Sequence, residues 1–447
     1  MTHDPLDTFL DDALLGRISR REVFRRGAAL GLAPALLGGI AAARPGIARA
    51  QEAGSLTLAS YSSDPEPRKQ MEETVADFTA ATGVQVELNT VNHEDFKQAI
   101  RTYLASDTPP DALTWFAGNR MRFFVDKGLV MPLDDLFAAE GWEEDFPEGI
   151  KAVSKGADGK YYFVPTSYYW WAVYYRPSLF EKAGIEGTPE TFDDMLAAVE
   201  KLKAAGITPI TIGTKAPWTA AAWFDYLNMR TNGPEFHISL MDGKEKYNSD
   251  EVKATFANWR KLLDAGAFIA QPEALEWQDA VTPLYNGEAA MYLMGGFIRD
   301  SFPDDAEADL DFFRFPKIND VPIGEDAPTD GYFLAAKAAN PDPAKAFMAY
   351  VGGKDSQEKA AKELGRIAVN KQVPLDVYDP ATAKGVELLQ GADYIAQFYD
   401  RDTLPEMAEK GMAAFVEFWN DPDSIDAILD NLEAERERIF AAAASEG

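Results

Sequence analysis

Blocks of strand-like and helix-like sequence alternate from residue 56 onward, and this alternation restricts the fold more than any other feature of the chain. Residues 56–59 form a short apolar run, residues 67–81 place apolar side chains at helical spacing, and residues 84–88 alternate with a period of two. This order predicts an open α/β sheet with crossover helices. Ligands of such sheets bind beyond the carboxyl ends of the strands, so the loops after Ala59 and Leu113 are candidate contact loops.

The later part of the chain continues the same pattern. A second α/β block begins near residue 165, and two amphipathic helices are predicted over 405–419 and 424–440. The sequence contains no short-period repeat and no low-complexity linker. Because 447 residues exceed one domain of typical size, we expect two lobes joined by short crossings.

The first fifty residues have the pattern of an export signal. Arg20 and Arg21 precede further positive charge and the mildly apolar run 27–43, which the small residues of 48–50 close. The arginine pair resembles a twin-arginine signal. We therefore expect cleavage near Gln51 and a soluble periplasmic protein without a lipid anchor. The alternatives are an uncleaved anchor helix, a lipoprotein signal, which would need a Cys, and an amphipathic first helix of a cytosolic fold.

Composition excludes several classes of protein. The chain has 43 Lys and Arg residues against 73 Asp and Glu, a formal net charge of -30, and such a surface repels phosphate backbones, so we expect no nucleic-acid partner. It has no Cys, which excludes disulfides, thiolate metal sites and iron-sulfur clusters. Three His residues leave few places for a metal site or a Ser/His/Asp triad. We expect neither a metal nor a cofactor.

Aromatic side chains cluster between residues 161 and 175, and Trp115, Trp218, Trp223 and Phe297 lie elsewhere in the chain. An aromatic ring beside hydrogen-bonding groups suits the flat apolar face of a sugar, because the ring stacks while polar groups bind the hydroxyls. We expect most single rings to belong to the core. Their placement in several separate loops after predicted strands is what favours a binding site.

Two other chemistries match parts of the sequence. Paired carboxylates such as Asp134-Asp135 are compatible with glycoside hydrolysis, but pairs of this kind arise without purpose in a chain with 73 acidic residues. Adjacent tyrosines are compatible with a ferric site, which would need further converging ligands that nothing in the sequence specifies. We expect His93 and His237 to be polar surface or capping residues.

An ordered set of short motifs resembles the extracellular solute-binding proteins of carbohydrate ABC importers, in particular the maltose-binding branch. This resemblance implies an α/β fold of the two-lobed periplasmic-binding-protein type (type II-like), with open mixed sheets, crossover helices, an interlobe cleft and short hinges. The motifs are at 75–78 with 82–86, 110–115, 159–165, 285–291 with 295–297, and 338–341.

The resemblance also implies how the chain is divided. After the signal at 1–50, lobe 1 would contain residues 51–165 and 330–368, and lobe 2 would contain residues 166–329 and 369–447. The implied hinges lie near 164–167, 329–333 and 365–371. A protein of this kind performs no reaction: it binds a sugar in the cleft, closes by hinge motion and delivers the ligand to a membrane permease.

The resemblance implies a set of ligand-binding residues that combines rings with hydrogen-bonding groups. Asp64 stands in the first-strand loop that holds a sugar hydroxyl, whereas Phe297 replaces a Trp of the family and argues against a maltodextrin. Arg299 and Arg366 each either pair with an acidic residue or contact a ligand oxygen. The predicted ligand-binding residues are Asp64, Trp115, Asn119, Arg120, Tyr169, Trp218, Trp223, Gly296, Phe297, Arg299, Asp330, Gly331 and Arg366.

We therefore expect a monomeric sugar receptor whose partners are a small-molecule sugar and an ABC permease. The main alternative is a receptor for a charged solute, such as an acidic sugar, a glycerophosphodiester or a polyamine. An anionic ligand would require Arg120, Arg299 or Arg366 to converge, and a cationic one would require unpaired acids beside the rings. A further alternative is an exported glycosidase or lyase.

Overall fold

The computed structural model of the protein describes residues 54–446, so the predicted export signal lies outside the described residues. These residues form two mixed β-sheets and a two-stranded pair, surrounded by helices. The strands are β1 (Ser55–Ser60), β2 (Gln85–Thr90), β3 (Ala112–Phe116), β4 (Val164–Tyr168), β5 (Trp171–Tyr175), β6 (Thr208–Ile210), β7 (Ala289–Gly295), β8 (Asp311–Phe313), β9 (Gly324–Asp326), β10 (Thr329–Leu334), β11 (Ile367–Ala368) and β12 (Tyr394–Ala396).

The helices alternate with these strands over most of the chain, and short 3-10 helices cover Pro272–Ala274, Gly296–Ser301, Leu375–Val377 and Pro422–Ser424. The α-helices are α1 (Pro65–Thr82), α2 (His93–Ala105), α3 (Asn119–Asp126), α4 (Asp134–Glu140), α5 (Trp142–Asp145), α6 (Glu148–Val153), α7 (Pro177–Lys182), α8 (Phe192–Ala204), α9 (Trp218–Asn232), α10 (Pro234–Met241), α11 (Asp250–Asp264), α12 (Val281–Tyr285), α13 (Asp304–Glu307), α14 (Pro341–Gly352), α15 (Lys354–Leu364), α16 (Pro380–Gln390), α17 (Tyr399–Asp402), α18 (Pro405–Asn420) and α19 (Ile425–Glu446).

The larger sheet has six strands in the order β11-β4-β10-β3-β1-β2. β1 is parallel to β2 and β3, whereas β10 is antiparallel to β3 and β4. The smaller sheet has four strands in the order β6-β7-β5-β8, and β9 pairs with β12. We call the part built on the six-stranded sheet lobe 1 and the part built on the four-stranded sheet lobe 2. The prediction of an α/β fold with open mixed sheets is confirmed.

Local signals in the sequence explain where helices begin and end. Pro65 and Pro67 stand in the first turn of α1, where a missing N–H costs nothing, and Gly83 ends that helix with a φ of 78°. α8 begins with a capping box in which Thr191 Oγ1 accepts from the N–H of Asp194 at 3.2 Å and Asp194 Oδ2 accepts from the N–H of Thr191 at 3.0 Å. Such caps fix the helices relative to the strands they follow.

Each lobe has its own hydrophobic core. In lobe 1, successive residues of the sheet face opposite sides, so Leu334 packs with Phe347 on one face and Phe333 packs with Phe124 on the other. In lobe 2, α9 is buried almost throughout, and the ring of Phe224 stacks on Phe415 of α18 at 4.3 Å. The C-terminal helices therefore pack on lobe 2.

The chain passes between the sheets three times. It leaves the large sheet between β4 and β5, returns at the start of β10, and leaves again after β11. These crossings adjoin the segments 164–167, 329–333 and 365–371, and hinge motion there stays a prediction. Within residues 54–446, none of the helices has the length and apolar character needed to cross a membrane.

Gly385 provides a test of the packing in lobe 2. This residue of α16 lies against Trp170, and an added Cβ would come within 2.3 Å of the indole ring. We expect Gly385→Ala to lower the free energy of unfolding by about 1–3 kcal/mol through overpacking. The matched control is Gly149→Ala on exposed α6, where nothing lies within 4 Å and helix propensity should raise stability by up to about 1 kcal/mol. Urea denaturation measures both, and equal shifts would contradict the packing argument.

Candidate ligand-binding site

A cavity of about 220 Å³ lies between the two lobes, beyond the carboxyl ends of β1 and β3. Residues next to β5, the start of α9 and the region of α17 close it from the side of lobe 2. We call its central part the aromatic chamber. Its lining side chains are Tyr61, Asp64, His93, Lys97, Phe116, Asp330 and Arg366 from lobe 1, and Tyr169, Trp171, Trp218, Trp277, Phe297, Asp300, Phe398, Asp400 and Arg401 from lobe 2.

The first turn of α2 positions two polar side chains at the chamber. Asn92 caps this helix, because its Oδ1 accepts from two backbone N–H groups of the first turn at 3.0 and 3.4 Å. Ser63 Oγ accepts from the N–H of His93 at 3.3 Å. His93 and Lys97, four residues apart, then lie on one face of the helix. The imidazole meets the ring of Tyr61 edge to face at 4.8 Å.

The wall from lobe 2 is made of aromatic rings. Trp171 stacks on Phe398 with centroids 4.8 Å apart, and Phe297 stands nearly perpendicular to Trp277 at 5.2 Å. Trp218 lies 6.4 Å from Trp277. The indole N–H groups of Trp171 and Trp218 have no hydrogen-bond partner in the protein. This wall therefore offers apolar ring surfaces, while both indole N–H groups are enclosed by the protein.

Arg401 joins the two walls of the chamber. Its Nη1 donates to Asp330 Oδ1 at 2.9 Å, and its Nη2 donates to the hydroxyl of Tyr169 at 3.0 Å. Its guanidinium also lies 4.1 Å from the centroid of the Phe116 ring. The register of β10 against β4 shifts between Asp330 and Gly331, which places this carboxylate at the cavity.

Two further ion pairs neutralise charges of the chamber. Arg120 Nη2 lies 3.1 Å from Asp400 Oδ2, with both side chains largely buried. Lys97 Nζ lies 3.2 Å from Glu94 Oε1 in the preceding turn of α2. Burial alone would raise the pKa of Asp400, but the adjacent Arg120 lowers it below its usual value. Asp400 is therefore an ionised carboxylate that is already paired.

Two contacts link the lobes across the chamber. Gln278 Nε2 of lobe 2 donates to Asp64 Oδ1 of lobe 1 at 3.1 Å. Arg366 of lobe 1 forms a short, largely buried ion pair with Asp300 of lobe 2. Both contacts hold lobe 1 and lobe 2 together beside the chamber.

The electrostatic state of the chamber follows from burial and pairing. Burial raises the pKa of Asp64, Asp300 and Asp330 above the usual value, although Arg366 and Arg401 partly offset this rise. Burial and the nearby charge of Lys97 hold the pKa of His93 well below 6.5. The imidazole is therefore neutral at physiological pH and can both donate and accept a hydrogen bond.

The structure places part of the predicted set at the cavity and part elsewhere. The residues that line the cavity are Asp64, Tyr169, Trp218, Phe297, Asp330, Gly331 and Arg366. The predicted residues that lie outside its lining are Trp115, Asn119, Arg120, Trp223, Gly296 and Arg299.

Strand alternation, a hydrogen bond and an ion pair explain why Trp115, Asn119 and Arg120, respectively, lie outside the cavity lining. Trp115 is 1% exposed and packs on Phe124 in the core of lobe 1, because its neighbours Thr114 and Phe116 take the side of β3 that faces the cavity. Asn119 Nδ2 donates to the backbone oxygen of Asp402. Arg120 does not line the cavity, but it forms an ion pair with Asp400, which does.

The remaining three predicted residues pack inside lobe 2. Trp223 is fully buried and meets Phe268 edge to face at 5.0 Å. Gly296 lies under the indole of Trp170, where an added Cβ would be 3.2 Å from the ring. Arg299 pairs with Glu307 at 2.7 Å and with Asp379 at 3.0 Å. Of the two roles predicted for Arg299, an ion pair or a contact with a ligand oxygen, the structure shows the ion pair.

Several lining residues were not predicted. Tyr61 stands in the loop after β1 that was expected to contact a ligand, and Phe116 alternates with Trp115, so both had a signal in the sequence. His93 lines the chamber, and His237 is fully buried, with its Nδ1 3.0 Å from Asn228 Nδ2, so the expectation of two surface or capping histidines was wrong. Phe398, Asp400 and Arg401 had no local signal, because only tertiary packing brings them to the cleft. Among the described residues, no group of three or more acidic or His side chains is arranged to hold a metal ion.

Comparison with known proteins identifies the class of this two-lobed chain. A family described as bacterial extracellular solute-binding proteins matches residues 62–358, and the chain belongs to this family. An uncharacterized ABC transporter extracellular-binding protein of Pyrococcus horikoshii is 27% identical over 305 residues, which are 67% of each chain. The osmoprotective compounds-binding protein GgtB of Synechocystis sp. is 25% identical over 377 residues, 79% of this chain and 85% of the relative.

Solved structures agree with this assignment. The bacterial solute receptor AcbH, described as exclusive for β-D-galactopyranose, superposes with a TM-score of 0.82 and 32% identity, covering 87% of this chain and 99% of the receptor. A chitin oligosaccharide binding protein superposes with a TM-score of 0.79 at 23% identity, covering 86% and 98%, which shows the shared fold. The predicted family and its two-lobed fold are confirmed.

A buried carboxylate behind the chamber couples stability to pH. Asp402 Oδ2 accepts from the N–H of Gln397 at 2.9 Å, and burial raises the pKa of Asp402 to about 7. Between pH 3.8, the ordinary pKa of this group, and about pH 7, the folded protein therefore binds more protons at Asp402 than the unfolded chain does. Its contribution to stability is present at low pH and is lost as pH rises through that window.

We expect Asp402→Asn to remove the loss of stability at rising pH, because an amide does not ionise. The amide oxygen can still accept the hydrogen bond from the N–H of Gln397. Between pH 5 and 8, the free energy of unfolding of the variant should rise relative to the original protein, by at most about 1.4 kcal/mol per unit of pKa difference. Urea denaturation at several pH values measures the difference. Asp421→Asn, at an exposed helix end, is the control. A difference independent of pH would contradict the raised pKa.

Proposed function

We propose that this protein is the sugar-binding component of an ABC importer, which captures a small uncharged sugar in the aromatic chamber. The observation that carries the proposal is a chamber of aromatic rings in which the charged side chains other than Asp64 are held in ion pairs, while Asp64 accepts a hydrogen bond from Gln278. Arg401 is held by Asp330, Arg366 by Asp300, and Lys97 by Glu94. An anionic ligand would have to compete with the carboxylates that hold Arg401 and Arg366, which is costly because these pairs are largely buried, whereas a neutral ring leaves them intact.

The size of the cavity supports a small ligand. About 220 Å³ is below the roughly 300–1,000 Å³ of sites for drug-sized ligands, so a single sugar ring with a modest substituent is the best match. The similar receptor AcbH is described as specific for β-D-galactopyranose, a single ring. We therefore propose a hexopyranose as the core of the ligand.

Capture uses the shut arrangement of the lobes. A sugar that contacts Trp218 and Phe297 of lobe 2 and Asp330 of lobe 1 binds better when the lobes are together, so it shifts the equilibrium toward closure. The Asp64–Gln278 hydrogen bond and the Asp300–Arg366 ion pair form only in that state. The closed protein is the form that we propose the permease recognises.

The family and the sequence support the location that we propose. We propose that residues 1–50 direct export by the twin-arginine route and are removed, and that the mature receptor works as a soluble periplasmic monomer without a lipid anchor. No catalytic role is proposed. Recovery of unchanged ligand after prolonged incubation with the protein supports this, and release of a hydrolysis product would contradict it.

Removal of Trp218 tests the site. Calorimetric titration with a panel of neutral monosaccharides should give a dissociation constant on the order of micromolar for at least one sugar. Trp218→Ala should weaken that binding by roughly 10- to 100-fold, or about 1.4–2.7 kcal/mol, because the contact area of the ring is lost. Trp419→Ala is the control. The ring of Trp419 packs on that of Phe268, with centroids 4.4 Å apart, and Trp419 does not line the cavity.

The same titration distinguishes a neutral from a charged ligand. Binding of a neutral sugar should change little between about 50 mM and 500 mM salt, because screening weakens only interactions between charges. Equal weakening by both Trp variants, or no binding of any neutral sugar, would contradict the proposed site.

A further inference from the structure

The cavity does not end at the aromatic chamber but continues into lobe 1. The first half of α1 contributes Pro67, Gln70, Met71 and Thr74 to its lining. The spacing of these residues, three and four apart, puts them on one face of the helix. This face extends from Asp64, at the chamber, into the interior of lobe 1.

A second helix supplies the opposite wall. α15 contributes Ser356, Gln357, Ala360 and Leu364, which again share one helix face. Tyr332 of β10 also lines this extension of the cavity, together with Val351 of α14. We call this extension between α1 and α15 the side groove. Its end at Leu364 is close to Arg366 and therefore opens into the chamber.

The walls of the side groove carry no charge. Its polar groups are amides and hydroxyls, and Gln70 Nε2 already donates to Thr74 Oγ1 at 2.8 Å. The ion pairs between the two helices involve Lys359, which lies 3.4 Å from Glu73 and 2.8 Å from Asp77; none of these three residues lines the cavity. An occupant of the groove therefore meets aliphatic carbon and a few neutral polar atoms.

Tyr332 leaves a donor available in the groove. Its side chain is 7% exposed, and its hydroxyl has only the thioether of Met71, at 3.6 Å, as a partner. Sulfur is a weak acceptor, so this buried O–H can give a stronger hydrogen bond to an oxygen atom. The ring itself meets Phe347 edge to face at 5.7 Å.

We propose that the side groove receives the uncharged, apolar aglycone of a glycoside whose sugar ring occupies the aromatic chamber. The inference rests on the proposed function and specifies the ligand of the same cleft. Aliphatic carbon makes up about half of the groove wall, and the polar side chains of Gln70, Thr74 and Gln357 are already hydrogen-bonded within the protein. Such walls suit alkyl carbon better than a second sugar ring, which needs several free hydrogen-bonding groups. The hydroxyl of Tyr332 is placed to bind an oxygen atom of the ligand.

A series of alkyl glycosides tests the groove. For the sugar that binds best, calorimetry would compare the free sugar with its methyl, propyl and butyl glycosides in both anomeric forms, and with disaccharides of the same ring. We expect one anomer to gain affinity with chain length, by up to about fourfold for each buried methylene group. The readout is the ratio of the dissociation constants of the free sugar and the butyl glycoside.

Filling the groove should abolish this ratio. Ala360→Phe introduces a ring between α1 and α15, and we expect it to reduce the gain from the butyl chain by at least tenfold. Ala76→Phe, on the exposed face of α1, is the matched control and should leave the ratio as it was. Ser356→Leu, one turn earlier on α15, repeats the test should Ala360→Phe not fold.

Three results would overturn the inference while the proposed function stands: affinity that does not grow with chain length in either anomer, a gain confined to disaccharides, or a gain that both groove variants leave intact. Failure of every neutral sugar to bind would instead overturn the proposed function, and the inference with it.

Discussion

The pairing of a buried guanidinium between two lobes is the constraint on which the site depends. Arg401 reaches from lobe 2 to Asp330 of lobe 1, bonds Tyr169 and covers the ring of Phe116. Burial alone would lower the pKa of Arg401, but Tyr169 and Asp330 raise it, so the charge stays. A buried charge is tolerated only when it is paired and hydrogen-bonded. Because this arginine meets its own acid, the chamber can be both polar and electrically balanced, and the aromatic rings around it are free for an uncharged guest.

Closure adds a second layer to the same arrangement. The hydrogen bond from Gln278 to Asp64 and the ion pair of Arg366 with Asp300 span the cleft, but a buried ion pair adds little net stability because the cost of desolvation offsets its attraction. A ligand that contacts both walls supplies further free energy for closure, equal to the difference between its affinities for the closed and open states. Weak latches of this kind allow the receptor to reopen, whereas a strong one would trap its cargo.

The sequence predicted the fold better than the site. Alternating strand and helix patterns are local, and they were sufficient for the α/β class, while the ordered motifs identified the family. Side-chain direction was harder: Trp115 and Phe116 are neighbours in β3, and only the pairing of that strand decides which one meets the cavity. Arg299 and Arg366 resemble each other in sequence, but one is held within lobe 2 by Asp379 and the other crosses the cleft. No local pattern predicts that Phe398 lines the chamber, because only the tertiary packing of lobe 2 brings this residue next to Trp171, which is distant in sequence.

The position of that late segment has a consequence for how relatives are compared. The family match covers residues 62–358, whereas Phe398, Asp400 and Arg401 lie beyond it and form part of the chamber. Two homologues that agree throughout the matched stretch can therefore still differ at residues that line the chamber. Grouping such receptors by ligand preference calls for aligning the region around 398–401 as well as the shared body.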